Sequence, residues 1–120
     1  ELLSVENLEA WDPDLLGPVL EDLPVSRVVD VGHFWLRQRD PMAHLGSWLD
    51  RSTVVHMHGI EERDHASLAN VPAATLDPVV RCLVERFTGV VTLEVFAWED
   101  LRTSMTALAA SLGRLKGENA

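Results

Sequence analysis

Cysteine is nearly absent. Cys82 stands alone, so no internal disulfide framework can hold the chain, and a reducing, cytoplasmic setting is the expectation. No apolar run approaches the roughly 20 residues of a membrane-spanning helix, and nothing at the start reads as a signal peptide. No glycine-rich phosphate loop follows any apolar run, which leaves dinucleotide-binding and P-loop folds without support. Basic residues are few, 10 Lys and Arg against 19 Asp and Glu, and a net charge of −9 makes nucleic acid an unfavourable partner. The same acidic excess suits a site that gathers carboxylates around cations. At 120 residues, nearly half of them apolar, the chain has material for one domain with a core, residues 1–120 as a single segment. It begins at Glu1 rather than methionine, the expectation for a segment cut from a longer protein.

The stretch that orders the rest is Arg27-Val28-Val29-Asp30-Val31-Gly32-His33. An aliphatic strand carries a carboxylate near its end, then breaks at glycine and histidine. Burying an acid among aliphatic neighbours is costly unless something pairs with it. The motif recurs along the chain, each time with a residue type that ligates metals. Residues 2–8 read as a strand carrying Glu6, residues 53–58 as one carrying His56 and His58, and residues 90–96 as one carrying Glu94.

Helical patterns separate these strands. Asp12-Pro13, Asp40-Pro41 and Asp77-Pro78 each offer a capping acid followed by proline at a first helical position. Leu15, Leu16, Val19, Leu20 and Leu23 supply an apolar face for the first helix, ended by Pro24, and Met42, Leu45, Trp48 and Leu49 one for the second. Val79, Val80, Leu83, Val84 and Phe87 face inward from the third, with Cys82 on its flank. A last helix follows Glu99-Asp100 with Leu101, Met105, Leu108, Leu112 and Leu115 on one side, and a long polar loop is expected over residues 60–75. Strand and helix alternate four times, the pattern of an α/β protein with a parallel sheet covered by helices. Four such units make half of a (βα)8 TIM barrel, whose active sites lie at the carboxyl ends of the strands.

Glu6, Asp30, His56 and Glu94 fall there, one per strand. Converging carboxylates repel unless a counter-charge joins them, and a divalent cation supplies it; mixed imidazole and carboxylate ligands suit zinc, manganese or iron(II). His33 and His65 fall just past strand ends and, with Asp64, can hold a further metal. His58 shares a strand face with His56 and is placed to orient the site or touch substrate. His44, inside a helix, reads as structural.

The order Val-Glu-Asn, Asp-Val-Gly-His, His-Met-His-Gly, Asp-His-Ala-Ser-Leu, Leu-Glu-Val-Phe resembles the second half of the xylose isomerase-like barrel superfamily, which includes abasic-site nucleases of the endonuclease IV type and many sugar isomerases and epimerases. The resemblance covers strands five to eight with their helices. It implies that Glu6 is a bridging carboxylate, that Asp30, His56 and Glu94 complete one metal centre, and that His33 and His65 belong to a further one. The nuclease pattern at the last position is Asp-x-His, whereas Asp64 directly precedes His65 here. Within the superfamily, His56-Met57-His58-Gly59, Arg63-Asp64-His65 and Glu94-Val95-Phe96 look most like the cobamide-remodelling phosphodiesterases of bacteria, which hydrolyse the phosphodiester of the nucleotide loop.

These readings converge on metal-dependent phosphodiester hydrolysis, with Glu6, His33, His58 and His65 in catalytic roles. The rivals are a sugar isomerase or epimerase of the same barrel and a non-catalytic half-barrel. The implied partners are a small-molecule phosphodiester such as a cobamide and either the missing N-terminal half-barrel or a second copy as a homodimer; nothing points to a membrane.

Overall fold

In the computed structural model, which describes residues 3–62 and 65–119, four strands form one parallel sheet. They are β1 (Ser4–Glu6), β2 (Ser26–Asp30), β3 (Ser52–Met57) and β4 (Val90–Leu93), lying side by side in chain order. The helices are α1 (Gly17–Glu21), α2 (Val31–Leu36), α3 (Met42–Trp48), α4 (Ala73–Arg86) and α5 (Trp98–Glu118). The α/β expectation is met. Parallel strands need crossovers on the order of a dozen residues, and amphipathic helices are the usual way to bury the sheet while making them. Val29 and Val55 on the central strands are fully buried, packed with Phe34, Leu45, Leu68, Val79 and Leu83 from the helical layer. Cys82 joins this core, and His44 stacks near Phe34 and Trp48, so both are packing residues. Among the described residues, no helix is long and apolar enough to cross a membrane.

Register brings the strand ends together. Glu6 pairs with Val28, and Asp30 lies directly beside His56, which lies beside Thr92. A register shift between Arg27 and Val28 separates this end of β2 from the rest. The Glu94 backbone N–H donates to the Met57 carbonyl (3.0 Å), holding Glu94 just past the end of β4.

Local boundaries depart from the sequence pattern in several places. The Asp12 carboxylate accepts from the Asp14 N–H (2.9 Å) in a local turn and caps no helix. The helix begins only at Gly17, with Pro18 in its first turn, and ends at Glu21 before Pro24; of its expected face Leu20 alone is buried. α2 was not expected. Asp30 turns the chain out of the strand by accepting the His33 N–H (2.8 Å) as an N-cap, which places Val31 in a helix rather than a strand. α3 opens at Met42, one residue later than expected, with Pro41 rather than Asp40 at its N-cap; Asp40 accepts the Met42 N–H (2.9 Å) from just outside, and Met42 is exposed. The segment expected as a polar loop carries structure in its second part: Gly59 and Ala66 bridge, Leu68–Asn70 form a 3-10 turn, and α4 opens at Ala73. Pro78 therefore sits inside α4, and Val84 points to solvent. β4 stops at Leu93, short of Phe96. On α5 the buried positions are Ser104, Ser111 and Leu115, while Met105 is exposed.

Asp77, no cap, instead locks α4 to α5. Arg114 donates both fork nitrogens to its two oxygens (2.7 Å each), and Ser111 Oγ donates at 2.6 Å. These donors hold the Asp77 carboxyl at about 2, below its ordinary 3.8. A depressed folded pKa stabilises above the unfolded value and loses that contribution as pH falls through the folded one. Solvent screens the pair, so its contribution to stability is small. Asp77→Asn should lower the urea midpoint at pH 6, and the gap to wild type should narrow between pH 4 and pH 2.5. A gap of constant size across that range would contradict the assignment.

Candidate metal centre

The ends of β1, β2 and β3, the start of α2 and the turns after β3 and β4 meet at one place. Glu6, Asp30, His56 and Glu94 each offer a ligand atom, all within 4.8 Å of one another, and Asp30, His33, His58 and His65 do the same. Asp30 belongs to both sets. It is fully buried, as is His58.

In the first set, His56 Nδ1 donates to Glu6 Oε1 (2.8 Å) with Glu94 Oε2 at 3.1 Å. One imidazole thus stands between two carboxylates, with a third acid beside it. Burial pushes the Glu6 carboxyl above its ordinary value; the His56 hydrogen bond opposes this, and the negative charges of Asp30 and Glu94 reinforce it.

In the second set, an unforeseen residue fixes the geometry. The Asn7 side-chain amide donates to the Asp30 carbonyl (2.9 Å) and its oxygen accepts the Asp30 N–H (2.8 Å), continuing the strand pairing with a side chain. The Asn7 backbone carbonyl accepts from His33 Nδ1 (2.8 Å). That bond leaves His33 Nε2 as the lone-pair nitrogen, buried and without a hydrogen bond, the usual arrangement behind a metal-ligating histidine. Asp30 Oδ2 likewise has no hydrogen bond, while Oδ1 accepts the His33 N–H and lies 3.1 Å from His58 Nε2. Burial alone would push the Asp30 carboxyl up; the hydrogen bond and charge of His58, the charge of His33 and the His33 N–H outweigh it, and the group lies below its ordinary value. A buried nitrogen and a buried carboxylate oxygen left open toward each other's neighbours are what a cation site requires. The residues present fit a divalent metal.

His58 Nδ1 lies between the His65 N–H (3.0 Å) and the Gly59 carbonyl oxygen (2.9 Å). His65 takes a left-handed backbone (φ 55°) to reach this position, and its Nε2 lies 3.5 Å from Glu94 Oε2, so it touches both sets. Non-glycine residues in that region cluster at functional sites because the surrounding structure must hold them there.

Compared with family models, characterised proteins and solved structures, the chain matches none. The geometry carries the functional reading.

Every described residue singled out from the sequence as a ligand lies in one of the two sets: Glu6, Asp30, His33, His56, His65 and Glu94. Asp64 lies outside the described residues; among the described residues, Asp30 and His58 join His33 and His65. His58 was expected to orient rather than ligate, yet it ranks with the donors; its alternation with His56 was the available signal. Asn7 carried none beyond standing next to Glu6. A cavity of about 620 Å³ lined by Trp35, Arg39, Asp40, Pro41 and Ile60 includes no member of either set, so donor geometry rather than concavity locates the site.

Proposed function

We propose that this chain carries the metal-binding half of a phosphodiester hydrolase of the xylose isomerase-like type, built as half of a (βα)8 barrel. The observation that carries this reading is the sharing of Asp30 between two adjacent donor sets. Adjacent cation sites suit in-line displacement at phosphorus, where attacking and leaving oxygens both need charge stabilisation. Glu6, Asp30, His56 and Glu94 would hold one ion and Asp30, His33, His58 and His65 the other, with zinc or manganese the best match and iron(II) next. Bound there, the ions supply Lewis acidity, offsetting phosphate charge and acidifying water.

The chain's own groups then handle protons and orientation. The water oxygen bonds to phosphorus as an ester P–O bond breaks, and the proton that Glu6 takes from the water passes to the departing alkoxide. Asn7 positions Asp30 and His33 from behind. Sugar isomerisation or epimerisation on the same scaffold polarises a carbonyl and moves a proton through a carboxylate, a task that leaves the histidine-rich second set unexplained. Among diesters, the sequence resemblance favours the nucleotide loop of cobamides, and the acidic balance disfavours abasic DNA.

Barrel closure supplies the partner. β1 and β4 are the outer strands, and Leu3 and Val90 at these edges are 63% and 62% exposed. Open edges invite further strands, here from an N-terminal half-barrel of the same protein or from a second copy.

The test is cobamide hydrolysis by the full-length protein after chelation and cation return. Activity should require the cation, and Glu6→Gln or His56→Ala should lower kcat at least 100-fold. Cation uptake without diester cleavage would move the assignment to isomerase chemistry, and a protein that takes up no cation would leave the converging acids with a structural role only.

A further inference from the structure

Ligating a cation and moving protons account for the donor atoms but leave the rim unexplained. The rings of His58, His65 and Phe96 form a column: His65 stacks on His58 at 4.3 Å and 19°, and Phe96 stacks on His65 at 4.8 Å and 25°. His33 meets both imidazoles edge-on, which fixes the inner end of the column. At the outer end Phe96 is 78% exposed, although one ring face rests on His65. Trp98, at the start of α5, is 76% exposed. Exposure alone is ordinary for single apolar residues, but Phe96 stands exposed at the end of a ring stack that begins in the donor set, an apolar surface rimmed by polar groups.

We propose that Phe96 is the stacking platform for a planar heteroaromatic base carried by the substrate, which makes Phe96 a specificity-determining residue. Aromatic rings stack with centroids roughly 4.5–7 Å apart, so a base on the outer face of Phe96 would lie about 10 Å from the His65 ring. That is the reach of a nucleotide whose phosphate sits at the donor sets. The base would extend a stack of three planar rings by a fourth. Diesters without such a base, glycerol-type diesters among them, make no use of the platform. The inference rests on the hydrolase reading and names the residue that would hold the base of its substrate.

The experiment compares kcat/KM on a nucleoside phosphodiester and on glycerophosphocholine for wild type, Phe96→Ala and Phe96→Trp in the full-length protein. Base stacking is sequence-tolerant and lost on truncation to alanine. Phe96→Ala should therefore lower the specificity ratio for the nucleoside diester about ten-fold, mainly through KM, and Phe96→Trp should restore it. Equal changes on both substrates, or none, would overturn the platform while leaving hydrolysis intact. If wild type cleaves neither diester, the hydrolase reading is judged by the cobamide assay and binding decides the platform. Adenosine monophosphate should then quench tryptophan fluorescence with a Kd about ten-fold weaker in Phe96→Ala, and absence of quenching in wild type would overturn the inference.

Discussion

Asp30→Asn is expected to abolish cation binding at both donor sets at once, while shifting the stability of the cation-free protein by no more than about 1 kcal/mol. Asparagine caps a helix about as well as aspartate, so the bond from the His33 N–H to residue 30 survives. Removing the charge relieves its repulsion with Glu6 while giving up the attraction of His58 and His33, and the two changes oppose each other. What disappears is the one carboxylate common to the two sets. Losing an outer partner of a ligand already costs 10–100-fold in affinity, and losing the ligand itself should cost more. In wild type, zinc or manganese at about 100 times its Kd adds about 2.7 kcal/mol. For a chain of this size that raises Tm on the order of 10 °C. The rise should vanish in Asp30→Asn, whereas Glu6→Gln and His33→Ala should each weaken one set and keep part of it. An undiminished rise in Asp30→Asn would mean that the shared carboxylate ligates nothing.

Gly32→Ala gives the second large effect, and its sign is decided by a contest. Gly32 lies in α2, where alanine is intrinsically better by roughly 0.5–1 kcal/mol. A Cβ there would stand 2.1 Å from His58 Cε1 and 2.3 Å from both ring nitrogens. Ordinary carbon contacts are about 3.5–4.0 Å, so the imidazole must leave. It has nowhere to go: His58 is fully buried, held between Asp30, the Gly59 carbonyl and the His65 backbone and ring. Overpacking should cost about 2 kcal/mol net, a fall in Tm on the order of 8 °C. Binding at the histidine set should fall more than ten-fold, with the Glu6–His56–Glu94 side less affected. Gly113→Ala is the control, since nothing lies within 4 Å of the added methyl on α5, and it should be neutral or stabilising. Equal behaviour of the two alanine variants would show that Gly32 is not reserved for the His58 ring.

Much of this was legible in the residues alone, and the exceptions have physical causes. The strands announced themselves through short aliphatic runs ahead of a polar tip, Val28-Val29 before Asp30 and Val54-Val55 before His56, although Val90 and Val91 of β4 stay exposed. Their polar tips gave the first donor set complete. α2 stayed hidden because a six-residue helix that is buried nearly throughout has no polar face, hence no periodicity to detect. The start of α4 was displaced because Asp77-Pro78 has the form of a cap, while the real demand on Asp77 comes from Arg114, 37 residues away. His58 looked secondary because its value depends on Gly32 making room and on the Gly59–Ala66 bridge turning the chain behind it. Asn7 was invisible for the same reason: its amide does for the Asp30 backbone what a neighbouring strand would do, a role set by tertiary contact. Local pattern located the donors; long-range contacts decided which of them converge.

The most direct measurement is the metal content of the wild-type chain after dialysis against zinc or manganese, read by elemental analysis together with Tm before and after chelation. One ion for each of the two donor sets, and a Tm that falls when they are stripped, is the result expected from the geometry. Trace metal only, with an identical Tm in chelator, would contradict it and leave the buried Asp30 and His33 as an unsatisfied polar cluster.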